Sequence, residues 1–188
     1  MWALVEKGKI SAIFKNPKSL VINDVKYPAS IFSDWQSDEL QALGLYEVIE
    51  DVSNFKDPFY YINTDQEFVY KNKKVTASFG SATPKNLDDT NNSGETTPGL
   101  KSICKETIKS QAYSLLSGSD WYVIRKAEAD IAIPEAWVNY RAAVRTKAGE
   151  MEALIDNAAD VEVLQSLYIY NPETETRPLG EWPESPDV

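Results

Sequence analysis

The sequence predicts an α+β protein with a small, mainly antiparallel β-rich N-terminal unit, a flexible linker, and a C-terminal helical hairpin or three-helix unit. Three observations carry this reading. Up to about residue 80 the chain runs in short apolar and β-branched stretches separated by two- to four-residue polar turns, the signature of hairpins. Residues 81–99 (SATPKNLDDTNNSGETTPG) have Leu87 as almost their only sizeable apolar side chain. From residue 100 onward apolar residues recur at helical spacing. The expected division is therefore a β-rich domain over 1–80 with one short helix, a linker over 81–99, and a helical domain over 100–188 ending in a Pro-rich tail.

Within the first part, Trp2–Glu6 and Ile10–Phe14 flank Lys7-Gly8-Lys9, and Leu20–Ile22 and Val25–Tyr27 flank Asn23-Asp24. Both read as tight hairpins. Ser37 can cap a short helix that Asp38 and Glu39 favour at its positive end and Gly44 can stop. Leu45–Ile49 and Phe59–Ile62 read as strands, and Glu67–Tyr70 with Val75–Phe79 as a hairpin around Lys71-Asn72-Lys73-Lys74. The linker's Asp, Asn, Ser, Thr, Gly and Pro cannot bury enough surface to offset the entropy of ordering it.

In the last part, Thr97-Pro98 is a helix-start signal. Leu100, Ile103, Cys104, Thr107, Ile108, Ala112 and Leu115 then share a helical stripe that Gly118 can end. Tyr122–Lys126 reads as a short turn or extended piece. Pro134 opens the longest helix, striped by Trp137, Tyr140, Val144, Ala148, Met151, Leu154, Ile155 and Ala158, with Gly149 on the opposite side. A shorter helix is expected near Val161–Tyr168. Antiparallel packing with short connections is the economical arrangement.

Composition narrows function. The 188 residues contain no His and one Cys, and the net charge is -10. Without His, the commonest general base, metal ligand and nucleophile partner is gone. Cys104 sits on an apolar stripe as a small hydrophobe, and a single Cys forms no internal disulfide. The acidic balance disfavours nucleic acid, since Lys71, Lys73 and Lys74 read only as a solvated turn. No apolar run approaches membrane-spanning length, and the N-terminus lacks a signal-peptide pattern. Asp88–Glu95 lacks the alternating acidic ligands of a calcium loop, and no Gly-rich phosphate loop occurs. No acidic pair lies in a recognisable glycosidase-like motif. The expectation is a protein that is not an enzyme and carries no catalytic residue, no cofactor site and no metal site.

What stands out instead are Trp121, Trp137, Tyr140, Arg141, Arg145 and Trp182. These are residue types enriched at interface hot spots, so they are the candidate partner-binding residues. Arg141 and Arg145 lie one helical turn apart, where like charges repel, which points to an anionic acceptor nearby. Asp120 could supply it within the domain, or a partner's carboxylate could. Trp182, in a tail too rich in Pro for a helix, either packs back on the helices or inserts into a partner.

The order of these residues carries a resemblance. Ser119-Asp120-Trp121-Tyr122-Val123-Ile124-Arg125, then Trp137-x-x-Tyr140-Arg141-x-x-x-Arg145, then Trp182-Pro183-Glu184-x-Pro186 resemble the C-terminal region of bacteriophage tail fibre assembly proteins, also called tail assembly chaperones. There the pattern runs Thr-Asp-Trp, Trp-x-x-Tyr-Arg-x-x-Leu-Arg and a late Trp-Pro. The resemblance spans about residues 110–186. Val144 replaces the usual Leu, and the helix continues well past Arg145 before the Pro-rich tail. The resemblance implies a chaperone that binds a phage tail fibre or other tail protein during folding and oligomerisation in the host cell cytoplasm, without a cofactor. The alternative is a structural virion protein, a tail or fibre adaptor retained in the virion tail. Self-association into a homo-oligomer suits either reading.

Overall fold

The computed structural model describes residues 1–92 and 94–186. The chain divides into two compact units, Met1–Thr83 and Pro84–Val188. A mixed β-sheet forms the first, and a cluster of α-helices dominates the second.

In the first unit the strands β1 (Trp2–Glu6), β2 (Lys9–Phe14), β3 (Leu20–Ile22) and β4 (Val25–Tyr27) lead into two short helices, α1 (Ile31–Asp34) and α2 (Ser37–Ala42). Next come β5 (Leu45–Asp51), β6 (Tyr61–Ile62), β7 (Gln66–Lys71) and β8 (Lys74–Phe79), with β9 (Thr83–Pro84) at the unit's end. The hairpin turns are the two-residue kind that demands positive φ at both central positions. Lys7-Gly8, Asn23-Asp24 and Asn72-Lys73 all adopt it. The main sheet has the order β2-β1-β5-β8-β7 and curls into a half-barrel, with β2 approaching β7.

One pairing departs from the expected antiparallel pattern: β5 and β8 run parallel, Val48 facing Val75 and Asp51 facing Ser78. The long connection over 52–65 followed by β7 supplies the crossover that a parallel pair needs. Ala3, Val5, Tyr46, Val48, Val75 and Ala77 pack together on one face of the sheet. There the Tyr70 hydroxyl donates to that of Tyr46 at 3.0 Å. Phe14, Leu20, Ile22, Ile31, Leu40 and Leu45 form a second core on the other face, under α1, α2 and the β3–β4 hairpin. The expected single helix is thus a pair. Gln36 rather than Ser37 caps α2, in a reciprocal box in which the Gln36 backbone N–H donates to Glu39 at 2.8 Å.

The second unit begins with the segment expected to be a linker, and that segment carries structure. β10 (Thr90–Asn92) pairs with β11 (Glu95–Thr97). The chain then enters α3 (Leu100–Ser117) at Gly99 rather than at Thr97-Pro98. The first N–H groups of a helix lack internal partners. Here the Leu100 and Lys101 N–H groups donate to the carbonyls of Asn86 and Leu87, and Gly99 N–H donates to the Asp89 carboxylate at 2.8 Å. These contacts to a helix end, rather than apolar burial, order the segment. They also explain Gly99, because a Cβ there would collide with the backbone of Leu87 and Asp88. The Gly99 and Ser102 bonds hold the Asp89 carboxyl below its ordinary range.

Helices α4 (Asp120–Ala129), α5 (Glu135–Asp156) and α6 (Val161–Ser166) complete the unit. The α3 stripe narrows to Leu100, Cys104, Ile108 and Ala112, while Ile103 is exposed. It packs on α5, where Tyr140, Val144, Met151 and Ile155 are buried and Leu154 is not. Burial pushes the Cys104 thiol up, partly offset by its hydrogen bond with Tyr168. Asp160 caps α6 by accepting from Val163 N–H at 2.7 Å. No described helix is long and apolar enough to cross a membrane.

Candidate partner-binding site

The site is built where α3 ends and α4 begins. Ser119, fully buried in this turn, donates its hydroxyl to the Leu116 carbonyl at 2.8 Å. From α5, the buried Arg141 guanidinium donates to that same carbonyl at 2.8 Å, to the Ser119 hydroxyl at 2.6 Å and to Asp120 at 2.8 Å. Its cationic head thus meets the negative end of α3 and the acidic first residue of α4 together. Of the two acceptors that the sequence left open for Arg141, the intradomain Asp120 is the one engaged. Arg141 is therefore a positioning residue that fixes how α4 leaves α3. Arg145 remains exposed and donates to the Arg141 carbonyl at 3.2 Å.

The expected turn over Tyr122–Lys126 is a helix. Tyr122, Val123 and Ile124 are weak helix formers in isolation, and tertiary stacking overrides that preference. The rings of Trp121 and Tyr122 stack at 3.8 Å, Tyr122 lies 5.7 Å from Trp137, and Trp137 meets Tyr140 edge-on at 5.7 Å. Arg125, one turn after Trp121, places its guanidinium 4.7 Å from the Trp121 ring and 5.2 Å from that of Tyr122. Its Nε is buried without a hydrogen bond, so ring contact holds this arginine where polar contact does not. Tyr122 and Arg125 belong to the site although the sequence reading passed over them. The i, i+4 spacing of Trp121 and Arg125 is the signal that could have found them.

The ladder ends in a small core of Ala112, Tyr140 and Val144, against which Trp137 and Trp182 pack. The Trp182 indole N–H donates to the Gln111 side chain at 3.1 Å. Trp121, Trp137, Tyr140, Arg141 and Trp182 thus belong to one continuous system. They differ in access. Tyr140 and Arg141 are buried, Trp137 and Trp182 half-buried, and Trp121 is 50% exposed. No residue of α4 is fully buried; Ile124 stands in solvent one turn from Trp121, and Val123 is exposed on another side of the helix.

This arrangement is a rigid, partly apolar platform with an arginine stacked on it. Among the described residues no three His, Cys, Asp or Glu side chains gather into a metal-binding group. The chain matches no family model, no curated protein and no solved structure.

Proposed function

We propose that this chain is a phage tail fibre assembly chaperone that binds fibre or tail protein through the exposed face of α4. The observation that carries the reading is a ten-residue helix with no buried residue. A helix this short does not hold itself together in water. It is kept in place by Arg141 and the aromatic ladder, which leaves the exposed parts of Trp121 and Ile124, neighbours at i, i+3, to contact something else. Fixed aromatic side chains with a stacked arginine have the chemistry of binding hot spots. Fibre subunits expose apolar surface before they trimerise, and capture of such surface suppresses aggregation. The order of Trp121, Trp137, Tyr140, Arg141, Arg145 and Trp182, which resembles the tail fibre assembly proteins, supports the same reading.

Co-expression with the tail fibre protein of the same genome tests it. The expected result is a rise in soluble fibre trimer when the chain is present. An unchanged trimer yield overturns the proposal.

A further inference from the structure

The Pro-rich tail lies over the seam between α3 and α5. Leu179 is its fixed point, buried and bonded from its N–H to the Leu167 carbonyl at 2.9 Å. Gly180 follows at φ +85, a conformation that suits glycine and turns the chain. Beyond it the attachment is thin. Among the described residues no backbone hydrogen bond holds 181–186, and Pro183 and Pro186 have no N–H to give. Glu181 is ion-paired at 3.0 Å with Arg177, on the near side of Gly180, and the Trp182 indole reaches down onto the Ala112, Tyr140 and Val144 core and to Gln111.

The trough is wider than its occupant. On the α3 side an open cleft of about 300 Å³ separates Ser110, Ser114 and Leu115 from Arg177 and Trp182. On the α5 side another of about 350 Å³ lies between Ala143, Thr146 and Lys147 and the tail's Glu181 and Pro183. A third, of about 670 Å³, continues along α3 through the shared Ser110 and Gln111.

We propose that the α3–α5 trough is a peptide-binding site for an extended Trp-Pro segment, filled here by the chain's own residues 181–186 and open to the same segment of a second copy. A second copy's tail would find the same indole seat on Ala112, Tyr140 and Val144 and the same acceptor in Gln111. Opening at Gly180 breaks the indole's attachment and the exposed Arg177–Glu181 ion pair and leaves Leu179 seated. Exchange of an identical segment between two copies in this way is a low-cost route to a dimer. The inference does not depend on the chaperone reading, since it concerns a different face and a different occupant.

A fluorescent peptide of residues 180–186 is the probe, titrated by anisotropy into full-length wild type and full-length Trp182→Ala. A tail on a short tether competes at an effective concentration of about 1 mM, so a seat of about 100 μM affinity is weakened about tenfold in wild type. The expected result is saturable binding to Trp182→Ala, about tenfold weaker binding to wild type, and none by a peptide with Ala in place of Trp. Equal binding to both chains, or none to a folded Trp182→Ala, overturns the proposal. If Trp182→Ala loses its helical circular dichroism, Trp182→Phe is read instead. It keeps an aromatic ring in the trough and removes the indole N–H that bonds Gln111, so the chain's own tail is held less well while the seat is unaltered; peptide binding should rise above wild type, and no rise counts against the site.

Discussion

The two ends of the helical unit are built on opposite principles. Around Met151, Ile155 and Leu164 the side chains are fully buried, and apolar packing does the holding. Around α4 no residue of the helix is fully buried, and one arginine plus a run of stacked rings does the holding. The comparison teaches how a domain can keep a hydrophobic surface in solvent without losing its shape. The polar anchor sits underneath, in Arg141, so Trp121 and Ile124 need not be spent on the core.

Breaking the buried end should cost most. Ile155→Ala removes a side chain with no exposure and should lower stability by about 3 kcal/mol, read as a shift of the urea midpoint. Arg141→Ala comes next, at about 2 kcal/mol, because it removes three hydrogen bonds at once, those to the Leu116 carbonyl, the Ser119 hydroxyl and Asp120. Unlike the first change, it should speed amide hydrogen exchange most strongly in α4. Lysine should rescue it only in part, since one ammonium cannot reproduce a two-pronged guanidinium. Gly149→Ala should run the other way. Position 149 is exposed on α5 with open space around it, so alanine should add about 0.5–1 kcal/mol, seen as a higher melting temperature.

The smallest effect concerns pH. Asp89 caps α3 with a carboxyl held below its ordinary value of 3.8. A depressed value in the folded state means the charged form stabilises the fold above that pH. The contribution should fade as pH drops from 3.8 through the lower folded value. Asp89→Asn should therefore flatten the acid limb of the stability curve, measured by denaturation at stepped pH.

Much of this was legible in the sequence because it depends on local rules. The Asn23-Asp24 turn, the Pro134 helix start and the Val144–Met151–Ile155 stripe follow from φ preference and periodicity, whereas the first hairpin turns on Lys7-Gly8 and takes Lys9 into its strand. The misses share a different cause. The parallel β5–β8 pair, the order in residues 84–92 and 94–99, and the helicity of 120–129 all depend on partners distant in sequence. Asp89 caps a helix ten residues on, and Trp137 stacks on Tyr122 from another helix. For the site, the residue types pointed to a surface, but only their placement separates Trp121, which faces solvent, from Tyr140 and Arg141, which support it.

The claim that α4 presents a partner surface is tested most directly by Trp121→Ala combined with Ile124→Ala, co-expressed with the tail fibre protein. Both side chains are at least half exposed, but Trp121 also stacks on Tyr122 and Arg125, so the double change should cost about 1–2 kcal/mol of stability while the helical circular dichroism is kept. Loss of two hot-spot contacts should weaken capture at least about thirtyfold, equivalent to about 2 kcal/mol, and return soluble fibre trimer to its level without the chain. A stably folded double variant that supports fibre trimers as well as wild type would contradict the account.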